Sequence, residues 1–410
     1  MTRGEIHIKV HNYLCILIAF FLPVYIHLVP LLIALLTINW ITEGNFPEKF
    51  NILKNNKIAW LFIGFYLLHI IGMIWTENAS AGWFDLQVKL SFCVLPLVFS
   101  TSIKTTNVQT QNILWSFVYG CICEGIVCLL IAGINFFKTG ENHFTYTQLS
   151  FNFHPSYLAM YFVFALAIVF SSVQTKLPIT KILQQLLIMA FLATFVLLLS
   201  SKIGTISMFL LITFFVISFI IRNKKWLLGL STGILLFILS FFIFKYLPTT
   251  KDRIYNAFYW TQHIGEIDKE HTESDAARIL IWKADLQVIK SNYLCGAGNG
   301  DVKDELIKKY DELGYKEILE KKLNAHNQFF QTTIAVGVLG GGMLLMTFVS
   351  GLWHSIRKRK NILITFLIIS FLNFLVESMI ETQAGVICFV FFYFTLLVSE
   401  NVDYTNAKRK

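Results

Sequence analysis

One histidine stands where an apolar stretch begins and offers the chain a proton acceptor. His326 lies in the run Asn324–Ala325–His326–Asn327–Gln328, directly before an apolar stretch that opens with Phe329. An imidazole ordinarily titrates near pH 6.5, so it can take a proton from a hydroxyl at neutral pH. We therefore expect His326 to act as a general base, with Asn327 beside it as a substrate-binding residue. The alternative is a histidine that only caps the helix that follows.

Three cations are candidates for holding an anionic group. Arg278 has a planar fork that matches phosphate oxygens bidentately. It also falls in the first turn of a predicted helix, where free backbone N–H groups favour anions. The alternative is a solvated arginine on a helix surface. Lys202, in Ser200–Ser201–Lys202–Ile203–Gly204, separates two long apolar runs, and Arg253 is a weaker third candidate.

Two glutamates stand one helical turn apart in an otherwise apolar stretch near the end of the chain. Glu377 and Glu381 are separated by four positions. Acidic groups near membrane depth are costly and usually functional, so we predict that both bind substrate. The alternative is structural pairing of these carboxylates with Lys202 or Arg278.

Two further polar residues stand in or beside apolar runs. His154 precedes Pro155 at the start of an apolar run, and we include it as a substrate-binding candidate. A proline there is also an ordinary way to begin a helix. Glu124 lies inside an apolar run, and its role stays open.

The composition indicates the kind of fold that must position these residues. Hydrophobic residues make up 55% of the chain and charged residues 14%, with a mean hydropathy of +0.61, whereas soluble domains carry about 25% charged residues. A bilayer-spanning helix needs about 20 mainly apolar residues. By this criterion we predict an all-α polytopic membrane protein with about twelve transmembrane helices and one large helical external loop. The predicted spans are centred near residues 18, 35, 67, 93, 125, 163, 190, 212, 236, 340, 369 and 391.

Positive charge is distributed unevenly over the loops between these spans. The short loops on one predicted side carry only Lys138 and Lys202. The opposite side carries these basic residues: Arg3, Lys9, Lys49, Lys54, Lys57, Lys104, Lys176, Lys181, Arg222, Lys224, Lys225, Arg357 to Lys360, and Lys408 to Lys410. Because cytoplasmic loops are rich in Lys and Arg, both termini are predicted in the cytoplasm. The net charge of +9 then reflects loop asymmetry and not nucleic-acid binding.

The chain is predicted to have three parts. Residues 1–245 hold transmembrane helices one to nine, residues 246–325 form the external loop, and residues 326–410 hold helices ten to twelve. We call residues 246–325 the polar segment. Within it, capping residues around Ser274 predict a helix start.

The polar segment is expected to contain two helices and a flexible turn. In the first helix, Ile279, Trp282, Leu286 and Ile289 recur at helical spacing and give one apolar face. Gly296 to Gly300 reads as a flexible turn, and a second helix is predicted from about residue 303 to 322. In span ten, Gly337 and the glycines at 340–342 are expected to allow close helix packing.

These residues together resemble a known family. His326–Asn327, nine further residues, Gly337, two residues and Gly340 reproduce the H-[N/S/Q]-x9-G-x-x-[G/T/Y] signature of the O-antigen ligase and polymerase superfamily. Arg278, Trp282 and the glycine-rich turn are similar to that family's loop pattern. Ser201 to Gly204 resembles its Ser-Arg-x-Gly motif, with lysine in place of the usual arginine. Lysine keeps the charge but loses the fork.

The resemblance implies a function. It implies glycosyl transfer on the periplasmic face of the bacterial inner membrane, from a glycan on undecaprenyl diphosphate to an acceptor hydroxyl. That acceptor belongs to lipid A–core, another glycan or a protein. The cations would bind the leaving diphosphate and His326 would be the base. Nothing in the polar segment resembles an Asp-rich metal site, so metal-independent, inverting transfer without a cofactor is expected.

Other functions compete with this one. An O-antigen polymerase or a protein O-oligosaccharyltransferase of the same superfamily would share the donor and the motif. A secondary transporter would be expected to have symmetric halves and polar residues near the bilayer midplane. This chain shows no internal repeat and gathers its candidate residues at one face, which favours the enzyme.

Overall fold

The computed structural model describes residues 2–102, 106–172, 178–223 and 274–399, together with residues 259, 262, 263 and 267. These residues form helices and connecting turns, and no β-strand occurs among them. The described α-helices are α1 Arg3–Val24, α2 Val29–Glu43, α3 Phe46–Lys54, α4 Lys57–Gly72, α5 Ala79–Lys89, α6 Ser91–Thr101, α7 Asn107–Thr139, α8 Tyr146–Leu149, α9 Pro155–Ser172, α10 Ile179–Leu198, α11 Lys202–Asn223, α12 Ser274–Ser291, α13 Val302–Leu313, α14 Lys316–Lys321, α15 Gln328–Lys358, α16 Asn361–Phe374 and α17 Gln383–Val398. Short 3-10 turns occupy Ile26–Leu28, Met73–Trp75 and Met379–Glu381.

The apolar helices agree with the predicted all-α membrane fold. In the described part of the chain, eight helical stretches are long and apolar enough to cross a bilayer, and Lys202–Ile217, Asn361–Phe374 and Gln383–Val398 are shorter apolar helices. These eleven coincide with eleven of the predicted spans. The predicted ninth span, near residue 236, lies outside the described residues, so the count of twelve stays a prediction.

The chain divides into two compact units. The first unit consists of residues 1–18, 25–113 and 257–402, and the second of residues 19–24, 114–256 and 403–410. His326, Arg278, Glu377 and Glu381 fall in the first unit. Lys202, His154 and Glu124 fall in the second.

In the first unit, α4 and α15 run antiparallel. Gly72 at the end of α4 lies against Val336, and Gly64 lies against Met343. The start of α4 and the end of α15 therefore share one end of the unit, which holds the basic residues Lys57 and Arg357. The start of α15, next to His326, lies at the other end. A bilayer core is about 30 Å thick and a helix rises about 1.5 Å per residue, so α15 is long enough to separate the two ends.

Aromatic side chains fill the interior of the first unit. Phe62 of α4 contacts Phe389 and Tyr393 of α17, with ring centroids 6.0 and 4.7 Å apart. Phe348 of α15 meets Phe389 at 5.2 Å. Because lipid tails are as apolar as these rings, the association gains from close packing and not from removal of water. Edge and offset ring contacts add about 0.5–1.5 kcal/mol each in favourable cases.

In the second unit, α9 is the central helix. All of its residues except Phe170 and Ser171 are buried. Phe162 stacks on Phe195 of α10, with ring centroids 4.5 Å apart. On another side, a Cβ at Gly204 of α11 would lie 2.5 Å from Ala159 Cβ. This contact brings the first turns of α9 and α11 side by side.

Helix α15 is broken eight residues after its start. Val336 and Gly337 have non-helical backbone angles, with φ of −132° and 73°. The freed backbone groups bind the glycine-rich turn: Ala297 N donates to Ile334 O (2.7 Å), Gly298 N to Ala335 O (3.2 Å), and Val338 N to Tyr293 O (3.0 Å). The polar segment is thus attached to the helix by backbone hydrogen bonds.

This break corrects two sequence interpretations. Gly337 does not serve helix packing, because a Cβ there would lie 2.0 Å from Leu294 O. The glycine-rich turn is anchored and not free, since a Cβ at Gly296 would lie 2.5 Å from the backbone of Ala335. Glycine is needed at both positions, which combine positive φ with close backbone approach.

The described polar segment folds around its own apolar core. The core takes in Leu280, Ile281 and Val288 of α12, Leu306 and Tyr310 of α13, and Ile334 to Val336 of α15. The buried face of α12 therefore differs from the predicted one: Ile279, Trp282 and Ile289 are only partly buried, and Leu286 is 46% exposed. Small alanine residues let the buried face of α12 pack closely against the rest of this core. A pattern of large apolar residues overlooks them.

The predicted second helix of the polar segment is two helices. Helix α13 ends at Gly314, which has φ of 72° and donates its N–H to Asp311 O. A left-handed glycine is a common helix terminator. Helix α14 then begins at Lys316. The prediction of one continuous helix was wrong because it ignored this stop signal.

Gly337→Ala tests whether the break in α15 fixes the polar segment. Alanine at positive φ costs roughly 1–2 kcal/mol, and its Cβ would displace the Leu294 carbonyl. We expect a clearly lower apparent melting temperature for the purified protein in detergent. Gly342→Ala in the same helix is the matched control, because nothing lies within 4 Å of a Cβ there. Equal melting of the two variants would contradict the anchored break.

Candidate active site

His326 occupies a strained position just before α15. Its φ of 44° is left-handed, a conformation that costs a residue with a Cβ roughly 1–2 kcal/mol. A local hydrogen bond helps to offset that cost, because His326 N donates to the Asn324 side-chain oxygen at 3.1 Å. The next residue, Asn327, caps the helix by accepting from Phe330 N. The turn and the cap together define where the imidazole leaves the backbone.

The imidazole of His326 contacts a buried carboxylate. Its Nδ1 lies 3.1 Å from Glu377 Oε2, and Glu377 is 4% exposed. An ionised carboxylate can only accept hydrogen bonds, so Nδ1 carries the proton in this contact. The neutral ring then has its lone pair on Nε2. That nitrogen is the one able to take a proton from a second group.

Arg278 contacts the other oxygen of the same carboxylate. Its Nη2 lies 2.6 Å from Glu377 Oε1, and the arginine side chain is 25% exposed. An arginine has five N–H donors, so this contact leaves donors for another anion. Arg278 is therefore not the solvated surface residue of the alternative interpretation. Glu377 brings Arg278 and His326 together although 48 positions separate them in the sequence (326 − 278).

The two residues after His326 bind the same neighbouring stretch of chain. Asn327 Nδ2 donates to Leu375 O at 3.0 Å. Gln328 is fully buried; its Oε1 accepts from Ile380 N at 2.7 Å, and its Nε2 donates to Glu381 Oε1 at 3.0 Å. Each of residues 326, 327 and 328 thus forms a hydrogen bond with the stretch 375–381, and we call this contact region the junction. Glu377 is held in the middle of that junction.

A buried lysine holds the second glutamate. Lys89, at the end of α5, is 2% exposed, and its Nζ lies 3.3 Å from Glu381 Oε1 and contacts Asp85. Lys89 is not among the candidate residues of the sequence analysis. The available signal was a lysine and an aspartate four positions apart in an apolar helix, since intramembrane charges are usually paired and functional.

His154 and Lys202 lie together in the second unit. His154 directly precedes α9, and Lys202 is the first residue of α11. Since Gly204 packs against Ala159, both residues lie at the same end of this unit. That Lys202 shares one cavity with Arg278 and His326 stays a prediction.

Glu124 and Arg253 are the two remaining candidates. Glu124 is buried in α7, where Cys128 Sγ lies 3.5 Å from its carboxylate. Its role stays open. Arg253 lies outside the described residues, and its proposed anion-binding role stays a prediction.

The fold and the site define a polytopic helical membrane protein with a partly buried His–Glu–Arg cluster beside the first residues of a broken helix. Residues 187–345 match the model of the O-antigen ligase family. The matched range contains Lys202, Arg278, His326 and Gly337, and it confirms the resemblance of the chain to the O-antigen ligase superfamily. This match supports the interpretation of the protein as a membrane glycosyltransferase of the O-antigen ligase or polymerase type. No curated protein matches the chain.

One buried acid in the polar segment was missed by sequence reasoning. Asp285 of α12 is fully buried, and among the described residues neither of its carboxylate oxygens has a hydrogen-bond partner. Burial raises the pKa of Asp285 well above its ordinary value. A charge on Asp285 in turn contributes to raising the pKa of Tyr310, after the larger effect of burial. Burial therefore favours the protonated form of Asp285 in the folded protein.

We expect Asp285→Asn to stabilise the protein at neutral pH. The folded pKa of Asp285 is raised, so the folded state must keep a proton that the unfolded chain releases above about pH 4. This penalty grows as the pH rises from there and ends where Asp285 ionises in the folded state. Thermal unfolding of both proteins between about pH 5 and pH 8 should show the advantage of asparagine increasing with pH. Asp311→Asn, at an exposed position on α13, is the control, and an advantage independent of pH would contradict the buried proton.

Proposed function

We propose that this protein is an O-antigen ligase-like glycosyltransferase. In this proposal it moves a glycan from undecaprenyl diphosphate to a hydroxyl of lipid A–core, on the periplasmic face of the inner membrane. The observation that carries the proposal is the His326–Glu377–Arg278 cluster, of which His326 and Arg278 lie inside the range that matches the O-antigen ligase family. In this cluster, Glu377 orients both the proposed base, His326, and the cation of Arg278.

The proposed transfer is a single displacement. The acceptor hydroxyl gives its proton to His326 Nε2, and its oxygen forms a bond to the anomeric carbon of the glycan. The bond from that carbon to the diphosphate oxygen breaks, and undecaprenyl diphosphate leaves with the electron pair. Attack opposite to the leaving group inverts the anomeric carbon. Glu377 would stabilise the imidazolium that forms, as carboxylates do in other histidine-dependent enzymes.

Cationic side chains are proposed to neutralise the negative charge of the leaving diphosphate. Arg278 keeps free N–H donors while it is oriented by Glu377, and a preoriented guanidinium binds phosphate oxygens well. Lys202 is the proposed second ligand, and His154 lies at the same end of its unit. Proposed roles for Asn327 and Arg253 in substrate binding are secondary, since Asn327 is already engaged with Leu375 O.

The proposed orientation rests on the placement of charge. His326 precedes the first residue of α15, whereas Arg357 and Lys358 end that helix. Lys57, at the start of the antiparallel α4, lies at the same basic end. The positive-inside rule assigns the basic end to the cytoplasm, so the candidate site would face the periplasm and both termini the cytoplasm.

His326→Ala tests the proposed base. We expect it to abolish transfer, because the acceptor hydroxyl then has no proton acceptor, a loss of about 10²- to 10⁴-fold or more. Purified protein in lipid vesicles would receive lipid-linked glycan with lipid A–core, a glycan acceptor or a peptide acceptor separately. Transfer only to the glycan would indicate a polymerase, and transfer only to the peptide would indicate a protein oligosaccharyltransferase.

The control for this experiment is His354→Ala. His354 lies near the other end of α15, so its loss should leave transfer unchanged. Donor binding by His326→Ala should also stay intact, since the variant keeps Arg278. Turnover like that of the wild type in His326→Ala would refute the mechanism.

Arg278→Ala tests the proposed diphosphate contact. A charge-assisted contact is worth about 1.5–3 kcal/mol, so binding of undecaprenyl diphosphate should weaken roughly a hundredfold. Arg278→Lys should restore binding only in part. For the second cation, Lys202→Arg should retain binding and Lys202→Glu should eliminate it. Titration of the purified protein with undecaprenyl diphosphate measures all four variants.

Two surface lysines provide matched controls. Lys283 is exposed on α12 five positions after Arg278, and Lys138 is exposed at the end of α7. Lys283→Ala and Lys138→Glu should bind the diphosphate like the wild type. If Arg278→Ala bound it equally well, the role of Arg278 would be limited to holding Glu377.

A further inference from the structure

The ion cluster around Lys89 adjoins the candidate site without containing either His326 or Arg278. Lys89 contacts Asp85 on its own helix and both carboxylate oxygens of Glu381, each at 3.3 Å. Glu381 belongs to the 3-10 turn Met379–Glu381. The side chain of Lys89 is 2% exposed, that of Asp85 13% and that of Glu381 22%. The cluster therefore ties helix α5 to the turn that follows Glu377.

The contacts of Glu381 explain why it is held so firmly. Gln328 donates to Glu381 Oε1, while Lys89 reaches both of its oxygens. Gln328 also accepts from Ile380 N, the residue next to Glu381. This turn is thus fixed from two sides, by a side chain of α15 and by a side chain of α5.

The fixed turn determines the position of Glu377. Glu377 precedes Glu381 by four residues, and His326 precedes Gln328 by two. The two stretches are therefore joined at one end by the His326–Glu377 contact and at the other by Gln328 with Ile380 and Glu381. Movement of the turn would move the carboxylate that orients the imidazole of His326.

Charge neutralisation alone does not account for this cluster. It contains two carboxylates and one ammonium, and burying ionised groups costs several kcal/mol each. Apolar residues of similar volume are often as stable as a buried ion pair. The ion cluster instead fixes geometry, because Lys89 lies between the carboxylates of Asp85 and Glu381 and determines the position of both.

We infer that Lys89 is a positioning residue which, through Glu381 and Gln328, holds Glu377 in line with His326. The inference rests on the proposed function for its effect on turnover, but its geometric part does not depend on that function. A catalytic group that is misplaced by about 1 Å loses on the order of a hundredfold in rate. Glu381 is then a support for the base and not a substrate ligand.

The main test removes the charges and keeps the shapes. In the triple variant Asp85→Asn, Lys89→Met, Glu381→Gln, no uncompensated charge stays buried, so folding should be retained. We expect kcat for transfer to fall about a hundredfold, with little change in KM for the lipid-linked donor. Lys89→Arg keeps the cation between the carboxylates and should keep most of the turnover. A triple variant with the kcat of the wild type would overturn the inference.

A spectroscopic readout separates this inference from the proposed function. In protein labelled with ¹⁵N-histidine, the two ring nitrogens of His326 report the tautomer, and the His326→Ala spectrum identifies their signals. We expect the proton on Nδ1 in the wild type and a shift towards Nε2–H in the triple variant. The same tautomer in both proteins would overturn the inference, whether or not the wild type transfers glycan.

The matched control is a second buried lysine of the same unit. Lys49 is nearly buried, lies 2.7 Å from Glu43 and donates to Trp40 O. It belongs to α3, between α2 and the start of α4, which lies at the basic end away from His326. The double variant Glu43→Gln, Lys49→Met loses a comparable ion pair. It should keep the turnover and the His326 tautomer of the wild type, and a tautomer change of equal size would show that any lost ion pair disturbs the site.

If the triple variant did not fold, Glu381→Gln alone would decide the question. It removes the excess negative charge of the cluster and leaves the Asp85–Lys89 pair neutral. Its amide cannot attract Lys89 as the carboxylate does. We expect a partial tautomer shift and a fall in kcat of about tenfold. Wild-type values for both would contradict the positioning role.

Discussion

The buried carboxylate of Glu377 is the feature on which the candidate site depends. A carboxylate near membrane depth is unfavourable unless cations or hydrogen-bond donors surround it. Here one of those groups comes from the polar segment, Arg278, and another from the residue that precedes α15, His326. The polar segment must therefore fold against α15 before Arg278 can stabilise Glu377. Electrostatics thus links assembly of the site to folding of the whole first unit.

The break in α15 serves the same assembly. A continuous helix would satisfy its own carbonyls and offer nothing to the polar segment. By leaving helical geometry at Val336 and Gly337, the chain frees groups that bond to residues 293–298. The glycine-rich turn donates hydrogen bonds to the carbonyl groups of Ile334 and Ala335. Without these bonds the carbonyl groups would lack hydrogen-bond partners near the membrane. This mutual satisfaction gives a physical reason for a glycine eleven positions after His326.

The sequence alone allowed part of this structure to be predicted. Hydropathy located the apolar helices because the bilayer sets their length, and capping residues located the start of α12. His326 and Arg278 were recognised as candidates, as was Glu377. Pairing of Glu377 with Arg278, 99 positions away, was one of the alternatives, whereas the contact of His326 with Glu377, 51 positions away, was not predicted. Pairing over such distances leaves no periodic pattern in a single sequence.

The errors have specific physical causes. Gly337 was assigned to helix packing because a glycine in an apolar run has the same sequence context in both cases, whether it allows helices to pack closely or interrupts its own helix. Lys89 was not considered a candidate, since its partner Glu381 lies 292 positions later. Leu286 was placed on the buried face of α12 because apolar residues were counted, while the alanines that allow close contact were not. In each case the missing information was the identity of the neighbouring element.

The two glutamates of the turn show how the site is tied to distant parts of the chain. Glu377 takes its cation from residue 278 and Glu381 takes its cation from residue 89, so one short turn depends on a helix near the N-terminus and on the polar segment. Each carboxylate gains this cation only when the partner element is in position, and an uncompensated buried charge is strongly destabilising. The turn is therefore stable only after residues 79–89, 274–291 and 328–358 have all come together. Because residues 375–381 are synthesised last among these elements, the orientation of His326 is expected to be among the last features of the first unit to form.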